Sequence, residues 1–287
     1  MSSQGSGSSL DERGSKILEL GRGGGGPGRA VAIALLSTLV FVVVIGVAIT
    51  QSSGWEDVKT TFFNWGVFKD SFPEIASAFK LNVKIFCIAE VFILVFALLL
   101  AVLRSLRGPA FFPLRALAIV YADFFRGVPT ILVIALLGFG APALQLQGVP
   151  TSVVFWGTVS LVLIYTAYVS EVYRAGIESV HPSQEAAARS LGLSHLQALR
   201  FVVLPQAVRR VIPPLLNDFI GLQKDTALVG TLGAIEAFNQ SQIDAAATFN
   251  FTPYLCAAVL FVAITIPLAR FTDWLVARDR RRQLATR

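Results

Sequence analysis

Apolar residues run through this chain in long blocks rather than in alternation. Val31–Thr50 contains no charge at all, and further mostly apolar blocks occupy Ala78–Leu103, Leu114–Gly140, Val153–Ala175, Val211–Leu232 and Tyr254–Val276. A helix crossing the hydrocarbon core of a bilayer needs roughly 20 predominantly apolar residues. Each block reaches that length, so the pattern predicts an all-α integral membrane protein with about six transmembrane helices. One stretch breaks the pattern: Gln184–Ala207 reads QEAAARSLGLSHLQALRFVVLPQA, helical in character yet too polar to span.

That stretch has the grammar of helix, turn, helix. Pro182 and Ser183 suit a helix start, with Glu185 in the first turn facing the positive end of the helix dipole. Ala186, Ala187 and Ala188 are strong helix formers. Gly192 is placed to end the helix in a left-handed cap. Ser194 and Gln197 fit a capping box that opens a second helix, which Pro205 should end or bend. Such an insert either packs on its own membrane domain or docks on another protein, because small alanine side chains permit close backbone approach.

Composition removes most other classes. The chain is 54% hydrophobic and only 15% charged, against about 25% charged in soluble domains. Residues 1–29 are rich in Gly and Ser and have too little apolar surface to pack, so they read as a disordered tail. Their Gly run lacks the GK[ST] ending of a phosphate-binding loop. The first apolar block lacks a small-residue cleavage site and reads as a retained span rather than a signal peptide. Cys87 and Cys256 lie in apolar blocks and read as packed small hydrophobes rather than a disulfide or metal pair.

The net charge of +6 is distributed as a topology signal. Lys and Arg gather on the cytoplasmic side of membrane proteins. Here they cluster before the first span, between the second and third, between the fourth and fifth, and in the tail 278–287. The first opposite loop carries Lys59 and Lys69 but more acidic residues, and the other two carry no Lys or Arg. This places the protein in the cytoplasmic membrane as a multi-pass chain, with both termini and the insert inside. Contact with anionic lipid, not nucleic acid, is the expected use of the basic tail.

The insert resembles the EAA loop of permease subunits of ATP-binding-cassette importers. That pattern runs EAA, three residues, Gly, nine residues, an aliphatic, any residue, Leu-Pro, and Gly192, Val202, Leu204 and Pro205 keep the spacing. The flanking FFRGVP (Phe124–Pro129), AYVSEVYRAGIESV (Ala167–Val180) and LQKDTALVG (Leu222–Gly230) resemble the polar amino acid uptake branch. The resemblance implies a core of five spans over 78–277, a coupling loop over 182–205, and residues 30–51 as an additional N-terminal helix. It implies Glu185, Ala186, Ala187, Gly192, Leu204 and Pro205 as the contact with the ATPase. The family glutamate falls on Ala186, whereas this chain has Glu185, about 100° away around a helix. The resemblance also implies partners: a dimer of ATP-binding subunits, a second permease chain (identical or sister), and an extracytoplasmic amino-acid-binding protein. ATP would reside on the partner, with no cofactor here.

Charges inside a membrane are costly and mark candidate functional positions. The fifth block holds Asn217, Asp218, Lys224 and Asp225, with Asn217, Gly221 and Lys224 on one helical face and Asp218 and Asp225 on the next. This seam either lines a solute path or fixes helix packing. The fourth block adds Thr166, Ser170 and Tyr173 on one face, and Tyr168 with Glu171 on another. Arg126 lies three residues after Asp123, close enough to pair, either as an interfacial ion pair or as part of a gate. A zwitterionic solute needs a cation for its carboxylate and acceptors for its ammonium, and the seam offers both. No HExxH or GxSxG motif occurs, and His181 and His195 lie in the insert, so neither a metal nor a catalytic set is expected. The competing reading is a self-sufficient secondary transporter or channel. It would often carry paired inverted repeats, which are not visible, and it leaves the insert without a purpose.

Overall fold

The computed structural model describes residues 27–106 and 108–285. The tail expected over 1–29 therefore falls mostly outside the described residues. By internal contacts the chain divides into two units, Met1–Lys59 and Thr60–Arg287.

The first unit contains α1 (Pro27–Thr50), whose side chains from Val31 onward are all exposed. From Val31 to Thr50 the helix carries no charge, and an apolar surface on every side suits lipid rather than water. A short helix, α2 (Trp55–Phe62), follows.

The second unit is built on α3 (Trp65–Ser105), a helix of 41 residues. At about 1.5 Å per residue it is roughly twice the thickness of a bilayer core, so it extends well before the expected start at Ala78. The Asn64 side chain caps it by accepting from the backbone of Gly66 (3.0 Å) and Val67 (3.2 Å). Its buried residues Ile75, Phe79, Asn82, Ile85, Ala89, Ile93 and Ala97 recur every three or four positions, one stripe along the helix.

The third apolar block is not one helix. It forms α4 (Phe112–Gly127) and α5 (Thr130–Ala143), bent by 102°. The cause is the sequence Gly127-Val128-Pro129. The ring of Pro129 pushes the preceding residue out of the helical region, and Val128 sits at φ −94°, ψ 132°.

Helix α6 (Val153–Glu178) is the centre of the bundle, with Leu161, Ile164, Ala167 and Ser170 fully enclosed. The insert then supplies α7 (Pro182–Ser190) and α8 (His195–Ala198), and the chain continues through a π turn, Leu199–Val203, into α9 (Leu204–Asp225). The fifth expected span, Val211–Leu232, is also broken. Its helix stops at Asp225, and Thr226–Leu232 tightens to a 3-10 helix that ends at Gly233 in the left-handed region. Two helices complete the chain, α10 (Ala237–Thr248) and α11 (Thr252–Ala285). Helix α11 carries on through most of the expected C-terminal tail.

Among the described residues, four helices are long and apolar enough to cross a membrane, and the bent pair makes a fifth if counted as one span. Helix α9 does not qualify, because its polar seam lowers its apolarity. The main core joins Ile85, Ile93, Val133, Ile134, Leu161, Ile164, Leu222 and Val229. A second cluster joins Ile75, Phe79, Ala237 and Cys256. Cys256 is buried as expected, whereas Cys87 faces outward, and both are free thiols. Two hydrogen bonds join the segment before α3 to the start of α11: Asn64 N donates to the side-chain Oγ1 of Thr252 (3.0 Å), and Phe251 N donates to the carbonyl of Thr61 (2.8 Å).

Candidate functional site

Local hydrogen bonds cap both arms of the insert. The His181 ring accepts from Ser183 N (3.2 Å) and caps α7. At the other end Leu193 N donates to Ala188 O (3.3 Å) and Gly192 N to Arg189 O (3.0 Å), with Gly192 at φ +90°. This pair of bonds is a Schellman motif, and a side chain at Gly192 would strain it. Ser194 and Gln197 form the expected reciprocal box: Ser194 N donates to Gln197 Oε1 (2.9 Å) and Gln197 N to Ser194 Oγ (3.3 Å). Such a cap contributes about 1 kcal/mol.

Pro205 does not end the second helix. It lies in the first turn of α9, and the π turn before it opens the hydrogen-bond ladder where its ring would meet the carbonyl of Phe201. The insert's second arm therefore runs without a break into the bundle.

The exposed side of the insert carries Ala186, Ala187 and Leu191, the last 83% exposed, while Ala188 packs inward. Leu204 is also exposed. Glu185 is turned toward the second arm, its Oε1 lying 2.6 Å from His195 Nδ1. The shifted glutamate thus has a partner within the insert itself.

At the base of the insert, α6 and α9 touch closely. A side chain at Gly176 would collide with Val211, and the Arg210 guanidinium donates to the carbonyl of Ser179. Just inside lies Glu171, only 16% exposed. Its Oε1 takes Arg104 from the end of α3, and Arg126 from the end of α4 at 3.4 Å. Its Oε2 takes two N–H groups of Arg174, at 2.9 and 2.8 Å, and Arg174 also reaches Glu178 at 2.6 Å. Arg126 was expected to be able to pair with Asp123. It turns to Glu171 instead, because the packing of α4 on α6 brings a less exposed carboxylate within reach.

The polar seam lies higher in the bundle. Tyr165 of α6 donates to Asp225 Oδ2 (2.9 Å), and its hydroxyl lies 3.0 Å from where a Cβ of Gly221 would stand. Asp218 is half-buried, and its enclosed Oδ2 has no hydrogen-bond partner among the described residues. Asn217 and Lys224 are exposed, and among the described residues Lys224 makes no ion pair. Thr166 and Ser170 are instead buried in helix packing.

Directly beyond Asp225 is a network that reading the blocks alone misses. Glu236, fully buried, caps α10 by accepting from Asn239 N (2.8 Å) and Phe238 N (2.9 Å). Asn82 of α3 donates to Glu236 Oε2 (2.8 Å) and to Thr226 Oγ1 (3.1 Å), and accepts from Ala237 N (3.0 Å). A Cβ at Gly230 would collide with Glu236 Oε1 and push the carboxylate off its partners. The network pins the 3-10 turn after Asp225 to α3. An asparagine inside the second apolar block was the available signal. Among the described residues no group of His, Cys, Asp and Glu could hold a metal ion.

Comparison with known proteins agrees with this anatomy. Residues 108–281 match the family described as binding-protein-dependent transport system inner membrane component. Among similar proteins, the Probable amino-acid permease protein YxeN of Bacillus subtilis is 33% identical over 71% of this chain and 90% of its own length. The Probable glutamine ABC transporter permease protein GlnM of the same organism is 32% identical over 77% of this chain and 97% of its own. A solved structure described as an amino acid ABC transporter with histidines superposes with a TM-score of 0.65 at 28% identity, covering 72% of this chain and 94% of that one.

Proposed function

Since the chain belongs to the family of inner-membrane components of binding-protein-dependent transport systems, we infer that it is the membrane-spanning permease subunit of an ATP-driven importer of a polar amino acid. The observation that carries this reading is the insert. It is a capped pair of helices that presents Ala186, Ala187 and Leu191 outward and has the spacing of Gly192, Leu204 and Pro205 that marks an ATPase-docking loop.

In this reading the insert lies in the cytoplasm, both termini are cytoplasmic, and two ATP-binding subunits seat on two permease chains. ATP is hydrolysed on those partners, and an extracytoplasmic binding protein delivers the solute. The seam of Asn217, Asp218, Lys224 and Asp225, with Tyr165 beside it, lines the path. Lys224 meets the solute carboxylate, and the carboxylates of Asp218 and Asp225 meet its ammonium. Insert movement, driven by ATP binding, alternates access to this seam.

Changing Ala187 to Asp tests the docking surface. It introduces a charge that docking would bury without a partner, at a cost of several kcal/mol. The variant should reach the membrane as the unaltered chain does, yet lose co-purification of the ATP-binding subunit. Normal co-purification would mean that the insert packs elsewhere.

A further inference from the structure

The base of the insert, the end of α3 and the bend between α4 and α5 meet at one carboxylate. We propose that Glu171 is a positioning residue for coupling: its ties to Arg104 and Arg126 carry movement of the insert to the ends of α3 and α4. This rests on the reading above that the insert seats on an ATP-binding subunit.

The insert is tied to the lower end of α6. Val180, just past that end, is buried in one cluster with Val203 of the π turn and Ala207 of α9, while Arg210 of α9 holds the carbonyl of Ser179 and Gly176 lets Val211 approach closely. Glu171 is seven residues above Glu178, the last residue of α6, or about 10 Å along a rigid helix. Displacement of the insert therefore reaches Glu171 with little loss.

The three arginines are not equivalent. Arg174 belongs to α6, moves with Glu171 and fixes the carboxylate through two N–H groups on Oε2. Arg104 and Arg126 come from other helices and share Oε1. The Arg104 link is strongly desolvated, with Arg104 only 11% exposed, so breaking it leaves buried charge unpaired. The Arg126 link is longer, 3.4 Å, and Arg126 is 41% exposed, so water replaces Glu171 there at lower cost. The hub thus has one firm tie and one releasable tie. The releasable one sits next to the Gly127-Val128-Pro129 bend. Tyr168 of α6 reaches the carbonyl of Arg126 at 3.4 Å, a second hold on the same point. An open groove lined by Glu171, Ala175, Gly176 and Arg210 borders this carboxylate.

The test uses the chain purified as a complex with its ATP-binding subunits and reconstituted with a binding protein. ATP hydrolysis and uptake of a radiolabelled mixture of polar amino acids are measured together. In Glu171→Gln, hydrolysis should continue while uptake per ATP falls by roughly threefold to thirtyfold. The double variant Glu171→Gln/Arg104→Gln removes the buried charges together. It should stay uncoupled if the ionic tie transmits movement, whereas recovery of the wild-type ratio would overturn the proposal in favour of simple charge neutralisation. Should Glu171→Gln fail to assemble, Arg126→Gln decides. A reduced ratio there supports the tie, and an unchanged ratio overturns it. If the unaltered complex takes up no label with ATP, the functional reading itself fails, an outcome distinct from variants that couple normally.

Discussion

Replacing Glu236 by Gln exchanges one oxygen for an amide nitrogen in a place with no solvent. The three groups that face the carboxylate, Asn239 N, Phe238 N and Asn82 Nδ2, all donate. An ionised carboxylate accepts from all of them, whereas a Gln amide accepts on one side only. With its oxygen toward Phe238 and Asn82, its NH₂ faces the Asn239 N–H, donor against donor. One buried donor left unpaired and the loss of charge-assisted bonds together cost about 2–4 kcal/mol. Removing all three acceptor contacts in Glu236→Ala costs more, about 3–9 kcal/mol before relaxation. At about 2–4 °C per kcal/mol for a chain of this size, the Gln variant should melt about 4–16 °C lower. Cys256 offers the readout, because it is fully buried and packs in one cluster with Ala237, the residue after Glu236. In a Cys87→Ala background, thiol-dye labelling of the purified chain on heating reports the opening of this corner. The order should be unaltered, then Gln, then Ala. A Gln variant that melts with or above the unaltered chain would refute the claim that the Glu236 carboxylate holds the Thr226–Leu232 turn in place.

Two further outcomes follow from the site. Lys224→Met keeps length and removes the charge, so uptake by the reconstituted complex should fall while the ATP-binding subunit still co-purifies, because Lys224 is exposed and makes no ion pair among the described residues; loss of assembly would assign it to packing. Glu185→Asp keeps a charge at the start of α7, typically worth about 0.3–1 kcal/mol, but withdraws the carboxylate from His195. If the Glu185–His195 contact steadies the two arms, Asp should reduce coupled uptake as Ala does, and His195→Ala should match both; Asp behaving like Glu would leave only the helix-end charge.

Local chemistry was legible where a motif spans a few residues. The helix start at Pro182, the left-handed stop at Gly192 and the Ser194–Gln197 box are each set within about a turn of chain, so residue spacing alone specifies them, although the spacing does not disclose the cap that His181 supplies. The apolar blocks likewise marked the four helices that, among the described residues, are long and apolar enough to cross a membrane. They concealed the two breaks. Gly127-Val128-Pro129 lies inside an apolar run, and hydropathy does not register the backbone restriction that Pro129 imposes. The stop at Asp225 depends on Asn82 reaching Thr226 and Glu236 across more than 140 residues of chain, which no local window contains. Arg126 teaches the same lesson: Asp123 is the neighbour on its own helix, but the bundle supplies Glu171 from another.

The central claim is that this chain forms a membrane pathway whose energy comes from a separate ATP-binding subunit through the insert. It is tested most directly in proteoliposomes holding either the purified chain alone or the complex, with binding protein and radiolabelled polar amino acids added outside and ATP enclosed. The chain alone should neither hydrolyse ATP nor accumulate label, and the complex should accumulate label only when ATP is present. Hydrolysis by the pure chain, or concentrative uptake without the ATP-binding subunit, would contradict the account.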